Sequence, residues 1–162
     1  QAGAVEHARS LGAEVNLGVF GDGALGALRS RLDRLGAEVR NHWLSQAEIA
    51  DALGRYDVVA APHREISQSG VVAHAFGAGR PVIATPVGAL PEQVEHGLTG
   101  LVSSECTSES IAACVVKFAT DPALLRRCAE AIRASAARRS MEAFLARLLE
   151  ESSVVAPCRA RS

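Results

Sequence analysis

Apolar residues along this chain fall into short β-branched runs separated by longer stretches of helical spacing. Val15–Phe20, Glu38–Trp43, Tyr56–Pro62 and Pro81–Thr85 read as strands, each bounded by Gly, Pro or polar turn residues. Between them the pattern turns helical. Gln1–Leu11 reads as the end of a helix, and Ala24–Leu35 as a helix closed by Gly36. Ser45-Gln46-Ala47-Glu48 is a capping box, which predicts a helix from there to about Gly54. Ser108–Ala119, Pro122–Ala134 and Ser140–Glu150 predict three closing helices, and Ser152–Ser162 reads as a disordered tail. Strands alternating with helices through short loops imply an α/β domain with a doubly wound parallel sheet.

The stretch Glu65–Gly100 is the densest in chemistry. The Tyr56–Pro62 strand leads through His63–Gln68 to a helix start at Ser69-Gly70. Serine suits a cap, and glycine lets a ligand approach the backbone. Val71–Ala78 is small and apolar, as a helix packed closely on a sheet requires, and Gly79 ends it. After the Pro81–Thr85 strand, Pro86–Glu92 leads to a second helix opening, with Pro91 in a first-turn position. Two helix openings thus face the carboxyl edge of one sheet, where amide N–H groups and the positive dipole end favour phosphate.

Composition narrows the picture. The 162 residues suit one domain with a sizeable core, and a net charge of −1 gives no footprint for nucleic acid. No apolar run approaches the roughly 20 residues of a membrane span. Gln1-Ala2-Gly3 opens into polar helical sequence without a signal-peptide pattern. Cys106, Cys114, Cys128 and Cys158 lack metal-ligand spacing and read as reduced thiols of a cytoplasmic protein. Gly21, Gly23 and Gly26 spell G-x-G-x-x-G after a strand. A nicotinamide-binding fold would also end its second strand on an acid, whereas Asn41-His42-Trp43 stands there.

The ordered motifs resemble the C-terminal domain of GT-B-type retaining glycosyltransferases, the group 1 or family 4-like enzymes. Gly79–Thr85 matches the family's G-[RK]-P-V-[VI]-A-[TS] strand, and Val87–Glu92 its V-G-G-[IL]-P-E loop. Gly97–Val102 matches its G-x-[TN]-G-[LF]-[LV] turn and strand. Ser67–Val71 resembles the S-Q-S-G-V donor loop of one branch. The resemblance spans nearly the whole chain, with the strong motifs between Tyr56 and Val102. It implies one Rossmann-like half of a two-domain GT-B fold: residues 1–151 as the donor-binding domain, without its first strand and without the N-terminal acceptor domain.

The activity so implied is transfer of a sugar, with retention, from a nucleotide-sugar donor such as a UDP- or GDP-sugar to an acceptor hydroxyl. The setting would be polysaccharide, lipopolysaccharide or glycolipid synthesis. No further cofactor and no metal are implied. The acceptor, a sugar or lipid-linked molecule, would be held by the missing domain. Cytoplasmic placement follows, at the membrane periphery for the intact protein if its acceptor lies there, and this chain alone is expected to be inactive.

The implied donor residues are Ser69, Gly70, Val71 and His74, the Gly21 turn, Trp43 and Leu44 beside the base, His63, and Val87 with Gly88. For Trp43 a core position is the favoured alternative. The family's commonest pattern has two glutamates eight positions apart, where this chain has Ile66 and His74. Glu65, one place earlier, is the candidate catalytic acid. Two other readings are a non-catalytic nucleotide-sugar-binding module and another GT-B-fold enzyme such as a sugar-nucleotide epimerase.

Overall fold

The computed structural model describes residues 2–65 and 69–136. The expected helix over Ser140–Glu150 and the tail at Ser152–Ser162 lie outside the described residues. In chain order the elements are α1 (Ala2–Ser10), β1 (Gly18–Phe20), α2 (Leu28–Arg34), β2 (Glu38–Arg40), α3 (Gln46–Arg55) and β3 (Val59–Ala61). Then come α4 (Gly70–Gly77), β4 (Val82–Ala84), α5 (Leu90–Gln93), β5 (Gly100–Val102), α6 (Ser108–Thr120) and α7 (Pro122–Ala134). Every strand pairing is parallel. The strands fall into two sheets, β1-β2 and β3-β4-β5.

The sheet around β4 has both faces covered. Val82 and Ala84 point to one side, against Val72 and Ala75 of α4, Leu90 and Val94. Ile83 points to the other, against α1, α6 and α7 through Ala4, Ala8, Ile111, Phe118 and Leu124. This is the alternation a pleated strand imposes, and all three β4 residues are buried. β5 passes so close to β4 that a Cβ on Gly100 would sit 2.1 Å from the Val82 carbonyl oxygen.

The two sheets are joined by side chains rather than by a strand. Tyr56, just ahead of β3, packs edge-on to Phe20 of β1 with ring centroids 5.6 Å apart. Its hydroxyl donates to Glu38 of β2 at 3.1 Å. Glu38 also accepts from Arg55 at the end of α3, at 2.7 and 2.9 Å. The Tyr56 ring lies over Gly18, where a Cβ would stand 2.6 Å from Cζ. The half-buried β1 and β2 contrast with the fully buried β4.

Observed elements are shorter than the sequence predicts. The Ala24 helix begins only at Leu28, because Gly26 takes a left-handed φ of 47° and a turn carries the chain from Leu25 to Leu28. The G-x-G-x-x-G run is therefore a loop, with none of its glycines inside a helix. The capping box holds: Glu48 N–H donates to Ser45 Oγ, and the Glu48 carboxylate accepts from Ser45 N–H at 2.9 Å. The same carboxylate faces His42 Nε2 at 2.8 Å. The Ser45 amide, then His42, then the Ser45 hydroxyl pull the Glu48 pKa down to about 2.

Two predictions follow from this packing. Gly100→Ala should lower stability by at least about 2 kcal/mol in a denaturant melt, because the opposing atom is backbone and cannot turn away. A loss of under half that would show that β5 can step off β4. The Glu48 cap has a depressed folded pKa, so its stabilisation is whole above the carboxylate's ordinary 4.5 and is lost as pH falls through about 2. The melting-temperature gap between wild type and Glu48→Ala should hold constant above about pH 5 and close toward pH 2. A gap that persists at pH 2 would mean the carboxylate is not the cap.

Candidate active site at the carboxyl edge of the strands

Parallel strands bring their carboxyl ends to one edge. Here that edge gathers Gly21 after β1, His42–Leu44 after β2, His63 after β3, Thr85–Gly88 after β4, and the openings of α4 and α5. Four residues tie the middle of it together. The His63 carbonyl accepts from Thr85 Oγ1 at 2.5 Å, and its ring Nε2 lies 3.3 Å from Ser69 Oγ. The Ser69 N–H donates to Gln93 Oε1 at 3.2 Å. β3, β4, α4 and α5 thus share one polar junction, with Ser69 and Thr85 almost wholly buried.

This junction corrects the expectation that Ser69 caps α4. Ser69 occupies the N-cap position with extended backbone, but its side chain makes no capping bond. Its hydroxyl meets His63, and its amide is taken by Gln93. The first-turn amides of Gly70, Val71 and Val72 have no intrahelical acceptor and are left for an acceptor from outside the helix. A Cβ on Gly70 would meet nothing within 4 Å, so the glycine leaves open space in front of those amides rather than relieving a clash.

The other expected residues sort as follows. His74 is exposed one turn into α4, with Nδ1 2.8 Å from the Gly70 carbonyl. In the neutral ring Nδ1 donates that bond, which leaves Nε2 an acceptor for a hydroxyl. Val87 and Gly88 form a tight loop: the Val87 N–H donates to the Thr85 carbonyl at 2.9 Å, and Gly88 has φ 53°. Gly21, at φ 133°, ties the end of β1 to β2 through a bond to the Arg40 carbonyl. Glu65 lies exposed on the loop after β3. Its neighbours 66–68, the Ile66 position included, lie outside the described residues.

Trp43 overturns the core alternative: it is 86% exposed, the most open large apolar residue described. β2 pairs only through Arg40, so the three residues beyond it leave the sheet, and the His42–Glu48 contact holds their loop outward. Leu44, the next residue, is half-buried. Spacing alone had no means of finding Gln93, which reaches Ser69 across 24 residues, or Thr85, which reads as the end of a strand. A groove of about 570 Å³ runs between α3 and α4 and meets this edge only at Gln46 and His74. The site is therefore defined by the strand ends and helix openings rather than by that groove.

Among the described residues no group of three His, Cys, Asp or Glu side chains is placed to hold a metal ion. No described helix is long and apolar enough to cross a membrane. No curated protein sequence matches the chain. Solved structures do. HepE of Anabaena, crystallised with UDP and glucose, aligns over 96% of this chain and 45% of its own at 21% identity and a TM-score of 0.72. A glycosyltransferase from Rickettsia africae aligns over 92% and 41% at 16% identity and a TM-score of 0.73. WaaG, a glycosyltransferase involved in lipopolysaccharide biosynthesis, aligns over 86% and 39% at 20% identity and a TM-score of 0.68. This chain spans less than half the length of each. These likenesses give the Rossmann-like α/β fold of GT-B glycosyltransferases. The family model for glycosyl transferases group 1 matches residues 3–121. The chain belongs to that family.

Proposed function

We propose that residues 1–151 form the nucleotide-sugar donor-binding domain of a retaining hexosyltransferase, with the acceptor held by a second domain in the intact enzyme. The observation that carries this is the polar junction of His63, Ser69, Thr85 and Gln93, which fixes two helix openings at one strand edge. The donor would be a UDP- or GDP-sugar, with no other cofactor in the reaction. Crystals of HepE with UDP and with UDP-glucose support a donor of this class. The acceptor would be a sugar or a lipid-linked molecule, in polysaccharide, lipopolysaccharide or glycolipid synthesis, with the intact protein cytoplasmic or at the membrane periphery.

In this reading the donor diphosphate lies across the opening of α4. The amides of Gly70, Val71 and Val72 oppose the charge that grows on the leaving diphosphate as the sugar–oxygen bond breaks. They are held in place before reaction, because the Ser69–Gln93 and Ser69–His63 contacts fix the residue just ahead of them. His74 offers Nε2 to a donor hydroxyl. Gly21, Trp43 and Leu44 border the base, while Val87 and Gly88 close the far side beside α5. Glu65 stands where the loop would bring a carboxylate to the transferred sugar. A non-catalytic binding module is the second reading, favoured by His74 and Ile66 at the two positions where the family's commonest pattern has glutamates.

Gly70→Val tests the cradle. The site has room for the side chain, so the melting temperature should stay within a few degrees while affinity for UDP or GDP falls at least about tenfold by calorimetry. Equal affinity in wild type and variant, for whichever nucleotide binds, would sink the assignment. Trp43 is the chain's only tryptophan and reports on its own edge. Nucleotide binding should change its emission, and inorganic pyrophosphate should not. A spectrum unmoved by saturating nucleotide would remove Trp43 from the base side. Sugar transfer by the intact protein, against binding without turnover, separates the two readings.

A further inference from the structure

A series of polar contacts joins β2 and its continuation to α3. Glu38, Arg40 and His42 alternate along the chain, as residues on one side of an extended strand do. Arg55, Asp51 and Glu48 recur at intervals of four and three, the spacing of one helix face. The two rows pair in opposite directions. Arg55 Nη1 stands 2.7 Å from Glu38 Oε2, Arg40 Nη2 3.2 Å from Asp51 Oδ2, and His42 Nε2 2.8 Å from Glu48 Oε1.

The first two of these rungs start from residues of β2 that pair with β1, and Arg40 is the last residue so paired. The His42–Glu48 rung stands beyond it, at the opening of α3. It carries the line of the strand past the point where backbone pairing stops. Glu48 also closes the loop from its other end, accepting from Ser45 N–H and Ser45 Oγ at 2.9 and 2.8 Å. One carboxylate thus holds the residue before Trp43 and the second residue after it. At neutral pH that carboxylate is ionised and only accepts, so the hydrogen of the His42 contact sits on Nε2.

Pairs this exposed add little stability, so the consequence of the third rung is geometric. Trp43 has no aromatic or cationic partner among the described residues, yet its backbone is held on both sides. A large flat ring kept in water on a fixed loop is a contact surface ordered before its ligand arrives. We propose that His42 and Glu48 are positioning residues, holding Trp43 as a fixed aromatic platform for the planar base of a nucleotide. This rests on the donor reading above, in which Trp43 borders the base.

His42→Ala tests it, because it removes the rung and keeps the Ser45–Glu48 cap. In that variant the fast component of the Trp43 time-resolved anisotropy should grow at least about twofold. Affinity for UDP or GDP, whichever binds, should fall at least about fivefold by calorimetry. His42→Gln, whose side-chain amide N–H reaches about as far as Nε2, should restore both. Trp43→Ala should weaken nucleotide binding at least as much, and His42→Ala added to it should cost nothing further. Anisotropy unmoved by His42→Ala, no rescue by glutamine, or losses that add in the double variant would each overturn the proposal. A role confined to capping α3 would give those results. Nucleotide bound equally by wild type and His42→Ala would sink this inference alone, whereas a wild type that binds no nucleotide would sink the donor reading and this inference with it.

Discussion

Burial of β4 on both faces is the constraint on which the rest of the structure depends. Val82 and Ala84 on one side and Ile83 on the other must meet apolar layers at the same time. That demand places α4 and α5 on one face and α1, α6 and α7 on the opposite one. Each large side chain so buried contributes about 1.5–3 kcal/mol, more than any exposed ion pair of this molecule. Gly100 and Gly79 are consequences: one lets β5 lie against the Val82 carbonyl, and the other lets α7 close beneath the turn after α4.

The site inherits its position from that strand. Once β4 is fixed between β3 and β5, the loops after β3 and β4 must leave at the same edge, and both lead into helix openings. The polar junction of His63, Ser69, Thr85 and Gln93 then turns proximity into geometry. It also changes what Ser69 does. A serine at an N-cap position satisfies its own helix when nothing else competes. Here a glutamine from α5 and a histidine from the β3 loop take its amide and hydroxyl, and the first amides of α4 without a partner inside the helix begin one residue onward. The β1-β2 side is held differently, through Tyr56, Phe20 and the Glu38 carboxylate, and stays half-buried.

Much of this was legible in the chain. Short β-branched runs bounded by turn residues located four of the strands, and the Gly97–Val102 motif located the fifth. The capping box at Ser45 and Glu48 and the Asp121-Pro122 start of α7 formed where expected, because their partners lie within one helical turn. Strand lengths were overread, since a β-branched run continues past the residues that find a pairing partner. The helical composition of Ala24–Ala27 does not outweigh the left-handed Gly26, and the helix starts only at Leu28. A core position is the favoured expectation for Trp43, but a loop held outward by His42 and Glu48 puts it in solvent.

The sequence by itself determined what depends on neighbours along the chain: the order of elements, the parallel α/β class, the helix openings and the family whose ordered motifs it carries. Its local signals reach only a few residues, the range of a turn or a cap. Only the tertiary structure decided that Gln93 takes the Ser69 amide, that Trp43 faces water, and that the five strands divide into two sheets joined by side chains. Those outcomes rest on contacts between residues far apart in sequence, whose geometry is fixed only after the layers around β4 have packed.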